Sequence, residues 1–323
     1  MTRWFVPVLA AAVLAADPAA GFAQRRYALI VSGATGGDEY AAQYSAWTDT
    51  FRHTLTERLK LDPSRVTVLS ESDAPEVAAT AVNVRKAIDA IRQRMTRQDL
   101  LLVLLIGHGT FDGVDAKFNL VGPDLESSQW KALLEALPGR VVIVNSTAGS
   151  FPFIERLSGQ RRIVITATDS IAQRFDTVFP EYFVKAFEEE SADLDKNQRV
   201  SIWEAFTSAA AGVRRHYQQR GQLSTERALL DDDGDGVGKS AAEQGSDGAL
   251  ASRTYLDVDV PGAAPTDDEL LKLLQQQALL AAELEELQIR KAFLPPDDYA
   301  MEFERIITEF AKVSREVRRR GKT

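Results

Sequence analysis

Residues 101–106 (LLVLLI) are apolar at every position. A strand with one face in water alternates apolar and polar residues. A strand that is apolar throughout has to be covered on both faces, as the centre of a parallel sheet is. Four further short runs have the same character: 27–32 (YALIVS), 66–69, 141–144 and 163–167. The stretches between them carry helical spacing, at 39–61, 81–95, 128–137 and, more briefly, 153–157. Strands alternating with helices in this way predict an α/β fold, a mostly parallel sheet with helices on both faces. Beyond about residue 175 the character changes. Helical patterns at 182–190 and 203–217 flank two acidic loops, and 261–265 (PGAAP) reads as a linker. Thr266-Asp267-Asp268-Glu269 is a capping box opening a helix whose leucines at 270, 273, 280, 284 and 287 share a face. After Pro295-Pro296, a stripe of Tyr299, Phe303, Ile306, Phe310, Val313 and Val317 follows. The two stripes predict an antiparallel helical hairpin over 266–323. The expected organisation is therefore a leader (1–23), an α/β domain with its acidic loops (24–260), a linker and the hairpin.

The leader is read from Arg3, the apolar stretch 4–16, and Gly21-Phe22-Ala23, which places small residues where a signal peptidase cuts. Cleavage after Ala23 would leave an exported protein, periplasmic or secreted, and no later stretch is apolar enough to hold it in a membrane. The 323 residues carry a net charge of −9, and the basic run Arg318-Arg319-Arg320 suits a helix C-terminus. That balance argues against nucleic acid or an anionic membrane surface as partner. Cysteine is absent, which excludes disulfides, thiolate metal sites and a thiol nucleophile.

In open parallel sheets, ligands and catalytic groups gather at the carboxyl ends of strands. Two strand ends stand out here: Gly107-His108-Gly109-Thr110 after 101–106, and Asn145-Ser146-Thr147-Ala148-Gly149-Ser150 after 141–144. A histidine between glycines directly after a buried strand is placed where backbone N–H groups can approach a ligand. His53 and His216 fall within helical patterns and read as surface or packing residues.

This order of motifs resembles the clan of cysteine peptidases that includes legumain, caspases and gingipains, and within it the legumain-like type. There a strand ends in His-Gly and the next strand ends in the nucleophilic cysteine, often followed by Gly-Ser. Ile30-Val31-Ser32-Gly33, with Tyr40 beyond it, resembles the legumain opening strand and loop. The resemblance covers roughly residues 26–190. It implies a caspase-like α/β/α sandwich, His108 as the general base and Gly109 as a backbone donor to the oxyanion. The cysteine position falls on Thr147, or on Ser146 if the loop is gapped differently, and Ala167-Thr168-Asp169-Ser170 falls where the family builds its specificity pocket. A hydroxyl there needs a base to take its proton during attack, and that base needs a third group to orient it. Asp112 is near in sequence only, and no Gly-x-Ser-x-Gly elbow is present.

The acidic loops point to Ca²⁺. Residues 193–204 fit a twelve-residue EF-hand loop, with Asp193, Asp195, Asn197, Arg199 (through its carbonyl), Ser201 and Glu204 at the ligand positions. Gln198 stands where such loops carry the glycine of the sharp turn. Residues 231–243 have an Asp-x-Asp-x-Asp-Gly core, offering Asp231, Asp233, Asp235 and the carbonyl of Val237, with Glu243 as the closing acid, one residue late. The reading that follows is an exported, non-catalytic, Ca²⁺-stabilised relative of these peptidases that binds peptides or partner proteins. Two alternatives stay open: a hydrolase using Ser146 or Thr147 with His108, and a calcium-stabilised structural module working through its hairpin.

Overall fold

The computed structural model describes residues 24–173, 175–243, 245–257 and 268–320. The expected leader, the linker at 261–265 and the capping residues Thr266 and Asp267 lie outside them.

Six strands form the main sheet: β1 (Arg26–Ser32), β2 (Val66–Leu69), β3 (Leu100–Ile106), β7 (Arg140–Asn145), β8 (Arg162–Thr166) and β9 (Leu229–Asp231), in the order β2-β1-β3-β7-β8-β9. The first five run parallel and β9 pairs antiparallel with β8. The apolar run is β3, buried along its whole length between β1 and β7. Because successive strand side chains point to opposite faces, the sheet divides the core in two. Leu102, Leu104 and Ile106 face α1 (Asp38–His53), α5 (Phe179–Ala186) and α6 (Ile202–Gln219). Leu101, Val103 and Leu105 face α2 (Ala81–Arg94), α3 (Ser127–Glu135) and α4 (Phe153–Leu157). The protein is thus α/β, with a mostly parallel sheet covered on both faces, as the alternation predicts.

Two features lack the periodicity that would announce them. A small antiparallel sheet of β4 (Gly109–Phe111), β5 (Ala116–Phe118) and β6 (Leu125–Glu126) follows the histidine; strands of two or three residues are too short to show alternation. The edge strand β9 runs directly into the second acidic loop. Helix α1 ends at His53, short of the expected 61, and the chain continues as a π-helical turn over Thr54–Arg58.

The helices α7 (Asp268–Arg290) and α8 (Pro296–Arg320) run antiparallel, since Glu269 pairs with Arg320 at 3.1 Å and Glu283 with Arg305 at 3.4 Å. Leu270, Leu271, Leu274, Leu280, Leu287, Ile306, Val313 and Val317 of the pair belong to the same core cluster as α5 and α6. The buried Gln275 donates to the carbonyl of Asp247 at 2.9 Å, tying α7 to the second acidic loop.

Candidate functional site

The strand order reverses direction between β1 and β3, so the crevice beyond their carboxyl ends is the topological switch point. His108 is placed there by Gly107, whose φ of +147° is a conformation L side chains rarely adopt. Gly109 serves a different need. A Cβ at Gly109 would lie 2.3 Å from Thr147 Oγ1, so the hairpin can close over the loop after β7 only because that position has no side chain.

The ring of His108 is held on both edges. Nδ1 lies 3.0 Å from Asp176 Oδ1, and Nε2 lies 3.0 Å from the Thr35 carbonyl and 3.3 Å from Tyr44 Oη. Tyr40 packs edge-on, ring centroids 4.8 Å apart, and its hydroxyl donates to the Asp176 carboxylate. That bond raises the Tyr40 phenol pKa, and burial raises that of Tyr44. Asp176 is fixed by its successors: Thr177 donates to the Ser146 carbonyl, and the buried Glu226 carboxylate accepts from the amides of Val178 (2.9 Å) and Phe179 (3.0 Å). On the other side, Glu71 accepts from the Thr35 amide at 2.9 Å and hydroxyl at 2.6 Å, which holds its own carboxyl below the usual range.

Neither hydroxyl at the expected nucleophile position bonds to this ring. Ser146 is buried and its Oγ donates to the Leu105 carbonyl at 2.6 Å. Thr147 is fully buried; its amide donates to Asn145 Oδ1 at 3.1 Å, and its hydroxyl has no hydrogen-bond partner among the described residues. The carboxylate behind the histidine is Asp176, not Asp112, which turns to Lys117 at 3.2 Å in the β4–β5 hairpin. Ser150 and Thr168 stitch two loops together, Oγ to Oγ1 at 3.0 Å, while Asp169 pairs with Arg227 at 3.5 Å. Beside these loops lies a 580 Å³ cavity whose apolar walls include Phe111, Val114, Phe151, Ile171 and Val237. Tyr44, Asp176 and Thr35 were not legible in the sequence, because tertiary contacts alone bring them to the histidine.

In the first acidic loop, carboxylate oxygens of Asp193, Asp195 and Glu204 lie within 4.8 Å of one another. Asp193 accepts from the amides of Asn197 (3.1 Å) and Gln198 (3.0 Å), and Lys196 and Gln198 take φ of 62° and 68°. Gln198 therefore makes the sharp turn without being glycine. Ser201 and Glu204 form a capping box on α6. Glu204 accepts from Leu194 N at 2.8 Å, Asp195 N at 3.3 Å, Ser201 N at 2.8 Å and Ser201 Oγ at 2.9 Å. A carboxylate has about four lone-pair sites, so a cation bound by both oxygens would have to displace the weaker of these bonds. Asn197 donates its amide to Asp195 at 3.0 Å, and the Arg199 guanidinium turns away to Asp257 at 2.7 Å. Burial raises the pKa of Glu204 and of Asp195, and each carboxylate's proximity to another raises it further.

The second loop closes differently from the expectation. Glu243 caps Ser240 N at 2.8 Å and pairs with Arg227 at 2.7 Å. The third acid is Asp247, whose carboxylate oxygen lies within 4.8 Å of those of Asp231 and Asp233. Asp235 is exposed and accepts from Val237 N at 2.7 Å; it stands outside this group, and the Val237 side chain is exposed beside the cavity. Gly234 and Gly236, with φ of 87° and 80°, repeat the positions of Lys196 and Gln198 in the first loop. Asp231 is fully buried, and Asp247 is pushed up to about 7 by burial and then by the neighbouring aspartates. Buried carboxylates gathered in this way are normally neutralised by a cation or a proton, and each of the two groups could hold a metal ion.

No family model matches the chain, and no curated protein does. Among solved structures, the crystal structure of protein GSU0716 from Geobacter sulfurreducens is similar at 13% identity and a TM-score of 0.47, covering 73% of this chain and all of that one. At that level of likeness no property of that protein transfers to this chain.

Proposed function

We propose that this chain is an exported, non-catalytic member of the legumain–caspase structural class, stabilised by Ca²⁺, that binds a peptide or protein partner. One observation carries the non-catalytic half. Both ring nitrogens of His108 are turned to the acceptors Asp176 and Thr35, while the Thr147 hydroxyl is sealed against Gly109. A base needs a free nitrogen within hydrogen-bond reach of its nucleophile, and the geometry supports none at Ser146 or Thr147. The likeness to the peptidases rests on Gly107-His108-Gly109 and Thr147 with Gly149-Ser150 standing at the ends of the adjacent strands β3 and β7. The apolar cavity beside Phe151 is the surface for a peptide, since such walls need no sulfur to bind.

For the metal, two groups of three carboxylates and paired left-handed residues favour Ca²⁺, a hard cation that takes six to eight oxygens. Export rests on the leader alone.

The decisive variant is Thr147→Cys, assayed with a diverse peptide library in calcium. We expect the wild type to cleave nothing and to react with no thiol-directed inhibitor. Because position 147 is buried and both ring nitrogens are engaged, we expect Thr147→Cys to stay inactive as well; cleavage that appears in it and vanishes when His108→Ala is added would show that the ring can turn to position 147 and would overturn the geometric argument. Cleavage by the wild type that stops in Ser146→Ala or Thr147→Ala refutes the proposal in favour of a hydroxyl nucleophile.

A further inference from the structure

The two acidic groups stand on separate elements, the first on the loop that enters α6 and the second on the loop after β9. One stretch of chain, 247–257, touches both. It begins at Asp247, the third acid of the second group. Its start is clamped by the buried Asp232, which lies between Asp231 and Asp233. The Asp232 amide donates to Asp247 at 2.9 Å, and the Asp232 carboxylate accepts from the amides of Gly248 (2.8 Å), Leu250 (2.8 Å) and Ala251 (2.7 Å).

The same stretch ends on the first group. The Ile202 amide donates to the Thr254 carbonyl at 2.9 Å, and Ser201 and Tyr255 form an antiparallel bridge. Asn197 Nδ2 donates to the Tyr255 hydroxyl at 3.2 Å, and Arg199 pairs with Asp257 at 2.7 Å. A further contact runs straight across. Trp203, the residue before Glu204, is fully buried against Gly248, the residue after Asp247. A Cβ at Gly248 would lie 2.7 Å from Trp203 Cε3, so the indole rests on bare backbone there.

Through these contacts the positions of Asp247 and Glu204 depend on each other. A cation on the second group fixes Asp247, and with it the surface on which Trp203 and the first turn of α6 rest. Part of the ordering that the first group needs has then already been supplied, and the next ion binds at lower cost. Hydrogen-bonded chains and packed side chains are the physical carriers of such coupling. We propose that segment 247–257, with Trp203 seated on it, couples the two acidic groups, so that Ca²⁺ on either one tightens binding on the other. The inference rests on the reading of both groups as Ca²⁺ sites; the strap between them stands in the structure whatever they bind.

The test is calorimetric titration of the full chain with Ca²⁺ alone, in about 0.15 M salt to damp the repulsion between two bound dications. Asp193→Asn disables the first group and Asp247→Asn the second, so each variant reports the remaining group by itself. We expect the wild type to take up two ions, with an overall binding constant at least about fivefold above the product of the two single-group constants, the lower end of the usual range of couplings. Asp257→Ala with Tyr255→Phe removes two side-chain links at the far end of the strap and leaves every carboxylate of both groups in place. Measured in the same cycle, it should bring the ratio toward one while two ions still bind. Gly248→Ala, which drives a Cβ into Trp203, should do the same; if it fails to fold, the Asp257→Ala, Tyr255→Phe cycle carries the test. A wild-type ratio at or below one overturns the coupling and leaves the calcium reading standing. A ratio unchanged by the Asp257→Ala, Tyr255→Phe pair overturns the strap as its route. Uptake of a single ion by the wild type overturns the coupling, and uptake of none overturns it together with the calcium reading.

Discussion

On the proposed reading the cation and the proton compete for the same carboxylates in the two acidic loops, and that competition can be read in stability. Asp247 has its pKa raised to about 7 by burial and by its aspartate neighbours, and burial raises Asp231, Asp195 and Glu204 as well. A carboxyl whose folded pKa exceeds its unfolded value near 4 binds more protons folded than unfolded between the two, so stability falls as pH rises through that window. For Asp247 alone, from 3.8 to about 7, the loss is at most about 4 kcal/mol. The cation-free protein should therefore melt at progressively lower temperature from pH 5 to pH 8. Calcium should reverse the trend, since it binds the deprotonated form. At a free concentration roughly 100 times the dissociation constant each site contributes about 2.7 kcal/mol, which for a chain of this size raises the melting temperature by roughly 4–5 °C. Glu204→Gln should remove the share of the first site. It should also weaken the capping of α6, because the new amide nitrogen can no longer accept from the Ser201 or Leu194 amide. Asp247→Asn should remove the share of the second site, and flatten the slope in chelator by removing the carboxyl that titrates. The assay is a thermal melt at four pH values in calcium and in chelator for wild type and both variants. Identical curves in calcium and chelator at pH 8 would sink the argument, and a chelator stability that rises from pH 5 to 8 would show its sign to be wrong.

Two further outcomes can be measured. Gly109→Ala should destabilise by about 1–3 kcal/mol, because its Cβ would meet Thr147 Oγ1 at 2.3 Å; adding Thr147→Ala should recover part of the cost, with a coupling on the order of 0.5–3 kcal/mol in a denaturation cycle, and simple additivity would refute the contact. Mass spectrometry of the protein from its native host should find a chain beginning at Gln24, and an intact Met1 on membrane-bound protein would count against export.

The five parallel strands of the α/β core and most of the helices between them could be read directly from the chain. The all-apolar 101–106 run and its fellows leave no wet face, so a covered parallel sheet is the arrangement that buries them, and periodicity located helices α2, α4 and α6 within a residue or two. The special backbone at Gly107 and the aspartates of both loops were equally local, since glycine spacing and alternating carboxylates are properties of a few consecutive residues. Everything that decides what the histidine can do came from the tertiary structure. Asp176, Tyr44 and the Thr35 carbonyl reach His108 from three separate segments, and no local pattern specifies contacts made by docking one loop against another. The closing acid of the second loop shows the same division. Spacing pointed to Glu243, but Arg227 holds that side chain outward, and the chain carries Asp247 back onto Asp231 and Asp233. Sequence fixes which groups are available over short distances; which of them share a site depends on long-range packing, which places each loop by contacts its own residues do not encode.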